Sequence, residues 1–362
     1  MSEATSPDPT ELPRPNGEGE PVKHQRRKRY SGKNPKRFEE KYKELNPDRY
    51  KKTIAKVRAS GKTPAGQHVP IMPTEIMDIL APQPGERAID ATLGYGGHAR
   101  LLLRALQPNG CLLGLDQDPI EIEKAEARLR TKGYPEETLR VHRMNFAALR
   151  RVIMEAGWSD GVDLILADLG VSSMQFDNPA RGFSFKNDGP LDMRMNPQKG
   201  MSARDLLKKL SAEKLTALLE DNADEVYAPT IAQAIAGRDF AGTQALAFVI
   251  KKALPAELPD DDISSSLRRV FQALRIAVND EFGALDSFLR ELPQCLRPGG
   301  RVAILTFHSG EDRRVKKAFQ TALRDGLFSS INDEVLRATP EEIRSNPRAV
   351  SAKLRWGIKS GE

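Results

Sequence analysis

A chain of 362 residues, 39% of them hydrophobic, is long enough to bury one large or two modest cores. It contains no apolar run of the ~18 residues a membrane helix needs, its first residues lack the apolar centre of a signal peptide, and Cys111 and Cys295 supply neither a disulfide framework nor a metal set, so a cytoplasmic protein is expected. The net charge of +6 is uneven: residues 1–62 carry 17 Lys/Arg against 9 Asp/Glu, which leaves the remainder slightly acidic.

Residues 1–22 are rich in Pro, Glu and Ser and are expected to be disordered. From Lys23 to Lys62 the basic residues interleave with Tyr30, Phe38, Tyr42 and Tyr50, a mixture suited to phosphate contact and base stacking, or to a merely solvated arm. This extension, residues 1–62, passes through a Gly/Pro-containing link into a short helix that ends at Leu80 and is expected to be capped by Thr74.

Strand and helix patterns then alternate. Glu86–Thr92, Cys111–Asp116, Leu139–Met144 and Val162–Leu169 read as strands, and Gly97–Leu106, Pro119–Lys132 and Ala147–Ala156 as the helices between them. Near-continuous apolar strands separated by helices imply an α/β, Rossmann-like parallel sheet covered on both faces, with ligands at the carboxyl ends of its strands. The alternation stops after Leu169. Residues 170–200 are polar and Gly/Pro-rich, and Ser202–Arg238 and Thr243–Leu254 are helical patterns with no strand between them; residues 181–266 are therefore expected to form a helical insertion. The parallel fold (63–180 and 267–362) is expected to resume with one long helix from Leu267 to Leu292, then a strand at Arg301–Phe307, a helix at Ser309–Arg324 and an antiparallel edge strand at Ala352–Ile358.

The chemistry gathers at the strand ends. Gly94, Gly96 and Gly97 make a tight turn that brings backbone N–H groups close to a ligand at a helix start. Gly94, Gly96 and Ala99 satisfy the G-x-G-x-x-G/A spacing of dinucleotide folds, and Asp116 stands where an acid holds ribose hydroxyls. S-adenosylmethionine (SAM) fits the same turn, and Asp90 at the first strand's end favours it. Asp118 and Pro119 suit a helix cap and its first turn. Phe146 is placed either to stack on an adenine or to fill the core. Asp168, ending the fourth strand, is placed to hydrogen-bond a target amine for in-line methyl transfer, a reaction that positioning and electrostatics can drive with no metal. In the loop that follows, Arg181, Asp192 and Arg194 lie near aromatic residues, as binding of a splayed-out base would require. His308 either contacts substrate or caps the next helix.

Taken together, Asp90, Thr92, Gly94, Gly96, Gly97 and His98; Asp168 to Ser173; Arg181 to Phe185 with Asp188 to Met195; Phe271 to Glu281; Phe307 to Ser309; and Asn346 to Arg348 with Ser351 to Arg355 resemble the RsmH (MraW) family from His68 to about Arg355. The resemblance implies a SAM-dependent (class I) methyltransferase fold with an inserted helical substrate-recognition domain. It also implies methylation of the exocyclic N4 of a decoding-centre cytidine in bacterial 16S rRNA, within an assembled small ribosomal subunit. It further implies that Gly96, Gly97 and His98 line the SAM pocket, that Asp116 holds the ribose, and that Phe146, Asp168 and Gln175 complete it. Three positions depart from the family pattern: Met174 for proline, Gly310 for leucine, and Ser266 to Arg269 for Pro-Ala-Thr-Arg. The oligomeric state stays open, a homodimer included. A rival reading is an inactive RNA-binding assembly factor of the same fold. A DNA amino-methyltransferase is disfavoured because the fourth strand lacks an Asp/Asn-Pro-Pro-aromatic tetrad, and a C5-methyltransferase because neither cysteine lies in a suitable loop.

Overall fold

The computed structural model describes residues 70–361; the expectations for residues 1–69 lie outside the described residues. Among these, β1 (Arg87–Asp90), β2 (Cys111–Leu115), β3 (Leu139–His142), β4 (Val162–Asp168), β5 (Leu296–Thr306), β6 (Phe328–Ile331) and β7 (Lys353–Lys359) form one sheet in the order β3-β2-β1-β4-β5-β7-β6. The first five strands are parallel to one another; β7 runs antiparallel between β5 and β6, so that β6 points the same way as the first five. Alternation along the strands explains why the sheet is covered twice. Ile89, Leu113, Ile165, Val302 and Ile304 point into one apolar cluster, whereas Ala88, Leu112, Leu164, Leu166, Ala303 and Leu305 point into the other.

Helices α1 (Pro73–Leu80), α2 (Gly97–Ala105) and α3 (Pro119–Arg130) cover the second face, and α4 (Leu149–Glu155) covers the first. After β4 the chain makes α5 (Ser173–Asp177) and then five helices, α6 (Ala203–Lys209), α7 (Ala212–Ala223), α8 (Ala228–Ile235), α9 (Thr243–Ala253) and α10 (Asp260–Asn279), which bury a third cluster of their own. It then returns through α11 (Glu281–Cys295), β5, α12 (Ser309–Arg324), β6, α13 (Pro340–Ser345) and β7.

Four expectations differ from what is observed. Thr74 lies inside α1, whose cap is Met72 in a left-handed conformation, its N–H held by Glu342 at 2.8 Å. The single helix expected over Leu267–Leu292 is two helices, because Asp280 takes φ 46° and ends α10 as it starts α11. Leu267, Val270, Phe271 and Leu274 of α10 pack with the inserted helices, so this helix runs across the expected boundary at 266. Finally, β7 is not an edge strand: β6, a short run with no strong period, lies outside it.

Candidate active site

Parallel strands present their carboxyl ends on one side of a sheet, and there the chain turns into helices whose N-termini face a common crevice. A cavity of about 540 Å³ opens at this edge, within the range of small-molecule sites. Asp90 ends β1 in its wall. In the turn that follows, Gly94 and Gly96 have φ of 48° and 81°, and a Cβ on Gly97 would stand 3.3 Å from the Pro70 ring, so the backbone closes tightly and sets His98 in the first turn of α2. Just past β2, Asp116, a wall residue, accepts the N–H of Gly94 (2.8 Å) on one carboxylate oxygen and that of Asp118 (2.9 Å) on the other; each oxygen retains a further lone pair. At the end of β4, Asp168 donates its backbone N–H to Thr92 Oγ1 (2.6 Å), and its Oδ2 stands 3.6 Å from His98 Nε2. Phe146 lines the same cavity and packs edge-on to Phe288 with ring centres 5.4 Å apart.

Burial dominates the electrostatics. It raises the Asp90 carboxyl to about 7, with the Thr92 N–H opposing and the Asp116 charge adding. It raises Asp168 to about 7, reinforced by Asp90 and Glu311, and Asp116 to about 6 against the N–H groups of Asp118 and Gly94. These acids act as a coupled group whose ionised form a bound cation would stabilise. Glu311, also in the wall, goes the other way: burial raises it, but the His308 hydrogen bond, the His308 and Arg275 charges and the Phe307 N–H (2.8 Å) outweigh that and hold it below the usual carboxylate range. Arg275 is itself gripped by Glu281 through two hydrogen bonds of 2.8 Å.

Gly97, His98, Asp116, Phe146, Asp168 and Gln175 all line the cavity. Gly96 is the left-handed cap of α2 rather than a wall residue. Both ends of the Gln175 amide are engaged: Oε1 accepts the Ser172 N–H (2.8 Å) and Nε2 donates to Asp118 (2.6 Å). Asp118 caps α3 by accepting the N–H groups of Ile120 and Glu121.

The four residues expected to bind substrate are placed differently. Arg181 is buried, donating to Asp118 Oδ2 (2.7 Å) and to the carbonyls of Arg194 and Met195 (3.0 and 2.9 Å). Asp192 and Arg194 pair with each other, at 2.9 and 2.7 Å. His308 caps α12, its Nδ1 accepting the Glu311 N–H at 3.4 Å. None of the four is in the cavity wall, whereas Arg268, Arg275, Asn279, Glu281 and Arg348 are. Arg275, Asn279 and Glu281 stand in the Phe271–Glu281 motif quoted above and Arg348 in Asn346–Arg348, so a signal for them existed; Arg268 stood only in the departing stretch Ser266 to Arg269. The departure at Gly310 has a local cause: a Cβ there would meet the Phe282 ring at 2.6 Å. Neither cysteine lines the cavity, and burial pushes the Cys295 thiol up to about 12, so no nucleophilic thiolate stands at the site.

Acids at the ends of β1 and β4 and just beyond β2, a glycine turn and a helix N-terminus converging on one crevice define a Rossmann-like ligand site of the kind methyltransferases carry. The chain belongs to the MraW methylase family, whose model matches residues 65–360. Two relatives named ribosomal RNA small subunit methyltransferase H 1 are 50% identical (Lachnoclostridium phytofermentans, 94% of each chain covered) and 48% identical (Agathobacter rectalis, 94% of this chain and 99% of that one). A relative from Syntrophotalea carbinolica is 41% identical but covers 80% of this chain. A share of 94% is more than residues 63–362 can supply, so the first two matches reach into the basic extension, which the family model does not include. Among solved structures, a SAM-dependent O-methyltransferase from Thermotoga maritima is similar at 12% identity and a TM-score of 0.36, covering 80% of this chain and 64% of that one; this distant likeness carries no argument about function.

Proposed function

We propose that this protein methylates the exocyclic N4 of a decoding-centre cytidine in the 16S rRNA of the small ribosomal subunit, with SAM as donor, in the cytoplasm. The observation that carries the reading is the convergence of Asp90, Asp116 and Asp168 on one cavity, where desolvation raises all three carboxyls, in a chain about half identical to relatives named for small-subunit rRNA methylation. Ionising three partly or fully buried acids around one cavity is costly unless a cation shares it. SAM fits that need: it supplies a methyl on a cationic sulfonium, whose C–S bond breaks as the N–C bond forms.

In this reading Asp116 holds the ribose hydroxyls, Phe146 lies against the adenine, and Gly97 and His98 close over the donor. Asp168, whose proton affinity lies close to neutral pH, holds the target amine by hydrogen bond and takes part in removing its proton. The loop and helices of residues 181–266 form the wall against which the rRNA is held. Mass spectrometry of 16S rRNA from a strain lacking the gene tests the assignment: the N4-methyl mark on cytidine should be lost, and its persistence would reject the reading.

A further inference from the structure

The cavity is divided by charge. Its interior holds Asp90, Asp116, Asp168 and Glu311, of which Asp90 and Glu311 are almost fully buried, while the one inner arginine, Arg275, is already paired with Glu281. Its lining also includes two exposed arginines, Arg268 on α10 and Arg348 in the turn Pro347–Ser351. Arg348 is oriented by Asp177, and Arg268 donates to Ser265 Oγ (3.0 Å), which leaves most of its guanidinium donors for a ligand. Among the described residues, Phe176 and Val350 are the large apolar side chains that both line the cavity and face solvent, at 37% and 62% exposure. These side chains come from three segments far apart in the sequence.

An entering anion is repelled by the acids inside, and an entering cation by the arginines at the opening. A ligand that satisfies both zones has a flat, uncharged ring flanked by anionic groups. We infer that Arg268, Arg348 and Phe176 form the rim that receives an extruded nucleotide: the base stacks on Phe176 beside Val350, and the two arginines hold the phosphates on either side. The inference rests on the rRNA substrate proposed above and names the residues that recognise it.

The test uses the full chain saturated with S-adenosylhomocysteine and a fluorescein-labelled, single-stranded heptaribonucleotide with one central cytidine, its affinity followed by anisotropy from 50 to 300 mM KCl. Each phosphate contact in single-stranded RNA contributes about 0.7 to the slope of log K against log salt, so the Arg268→Gln/Arg348→Gln double variant should lower the slope by about 1.4. Phe176→Ala should weaken binding by roughly 5- to 150-fold with the slope unchanged, and Phe176→Tyr should restore it. With small ribosomal subunits as substrate, the same variants should raise KM far more than they lower kcat. S-adenosylhomocysteine affinity, measured by calorimetry, should stay within about twofold and reports an intact fold, as expected for exposed positions. If the wild-type protein methylates small-subunit rRNA while the rim variants bind the oligomer with wild-type affinity and slope, the rim inference falls and the proposed function stands. If the wild-type protein transfers no methyl to rRNA, the proposed function fails, and the rim assignment with it.

Discussion

Arg181 separates two readings of the same loop. If the arginine served RNA, its loss would weaken binding and leave stability alone; the structure instead makes it the bolt between the loop before the inserted helices and the core. Its guanidinium reaches Asp118, whose side chain is fully buried, and two backbone carbonyls. Arg181→Ala leaves Asp118 Oδ2 with the Gln175 amide alone and removes a donor shared by two carbonyls. Breaking a buried pair by deleting one partner costs about 3–5 kcal/mol. At roughly 2–4 °C per kcal/mol for a large domain, the melting temperature should fall by about 6–20 °C. Arg181→Lys should recover only part of this, since an ammonium cannot span three acceptors in the fork geometry. Differential scanning calorimetry gives the melting temperature, and anisotropy with the labelled oligoribonucleotide gives the affinity. A melting temperature within about 2 °C of wild type, together with a tenfold loss of RNA affinity, would refute the argument.

Asp168→Ala should lower methyl transfer by roughly 10²- to 10³-fold in a tritiated-methyl assay, and retained turnover would remove Asp168 from the reaction. Asp90 and Asp168 have folded pKa values of about 7, above their ordinary value. Each therefore contributes stability that is complete below about pH 4 and is lost as pH rises through 7. The ligand-free protein should melt at lower temperature at pH 8 than at pH 5.5, and SAM binding at pH 7 should release protons. Titration calorimetry in buffers of different ionisation enthalpy reads that release, and a buffer-independent heat would contradict it. Deleting residues 1–60 should weaken RNA affinity and flatten its salt dependence while SAM affinity is preserved; an unchanged slope would reject a phosphate-binding role for the extension.

Much of the sheet was legible because buried parallel strands leave a strong local trace. The apolar runs ending at Asp90, Leu115 and Asp168 need no partner to be recognised, and Asp118-Pro119 announces a helix start by its own chemistry. Boundaries failed where the determinant was not local. Whether residues 267–292 make one helix or two depends on a left-handed Asp280, which helical periodicity does not register. The short β6 became a strand only because β7 offered its free edge.

The acids and glycines of the cavity wall were readable for the same reason: glycines and acids at strand ends are set by the turn that immediately follows them. The substrate side was not. Arg181, Asp192 and Arg194 had the expected residue types in a suggestive loop, yet their charges are satisfied by Asp118, by one another and by backbone carbonyls. Arg268 and Arg348 lie 80 residues apart in an insertion helix and a C-terminal turn, and the short motifs that contain them do not say that they meet at one cavity. Alternation, capping and glycine act over a few residues, so the sequence alone determined the scaffold and the acids at its strand ends. Which arginines are locked into the protein and which stay open to a ligand depends on partners scores of residues away, and only folding brings those partners together.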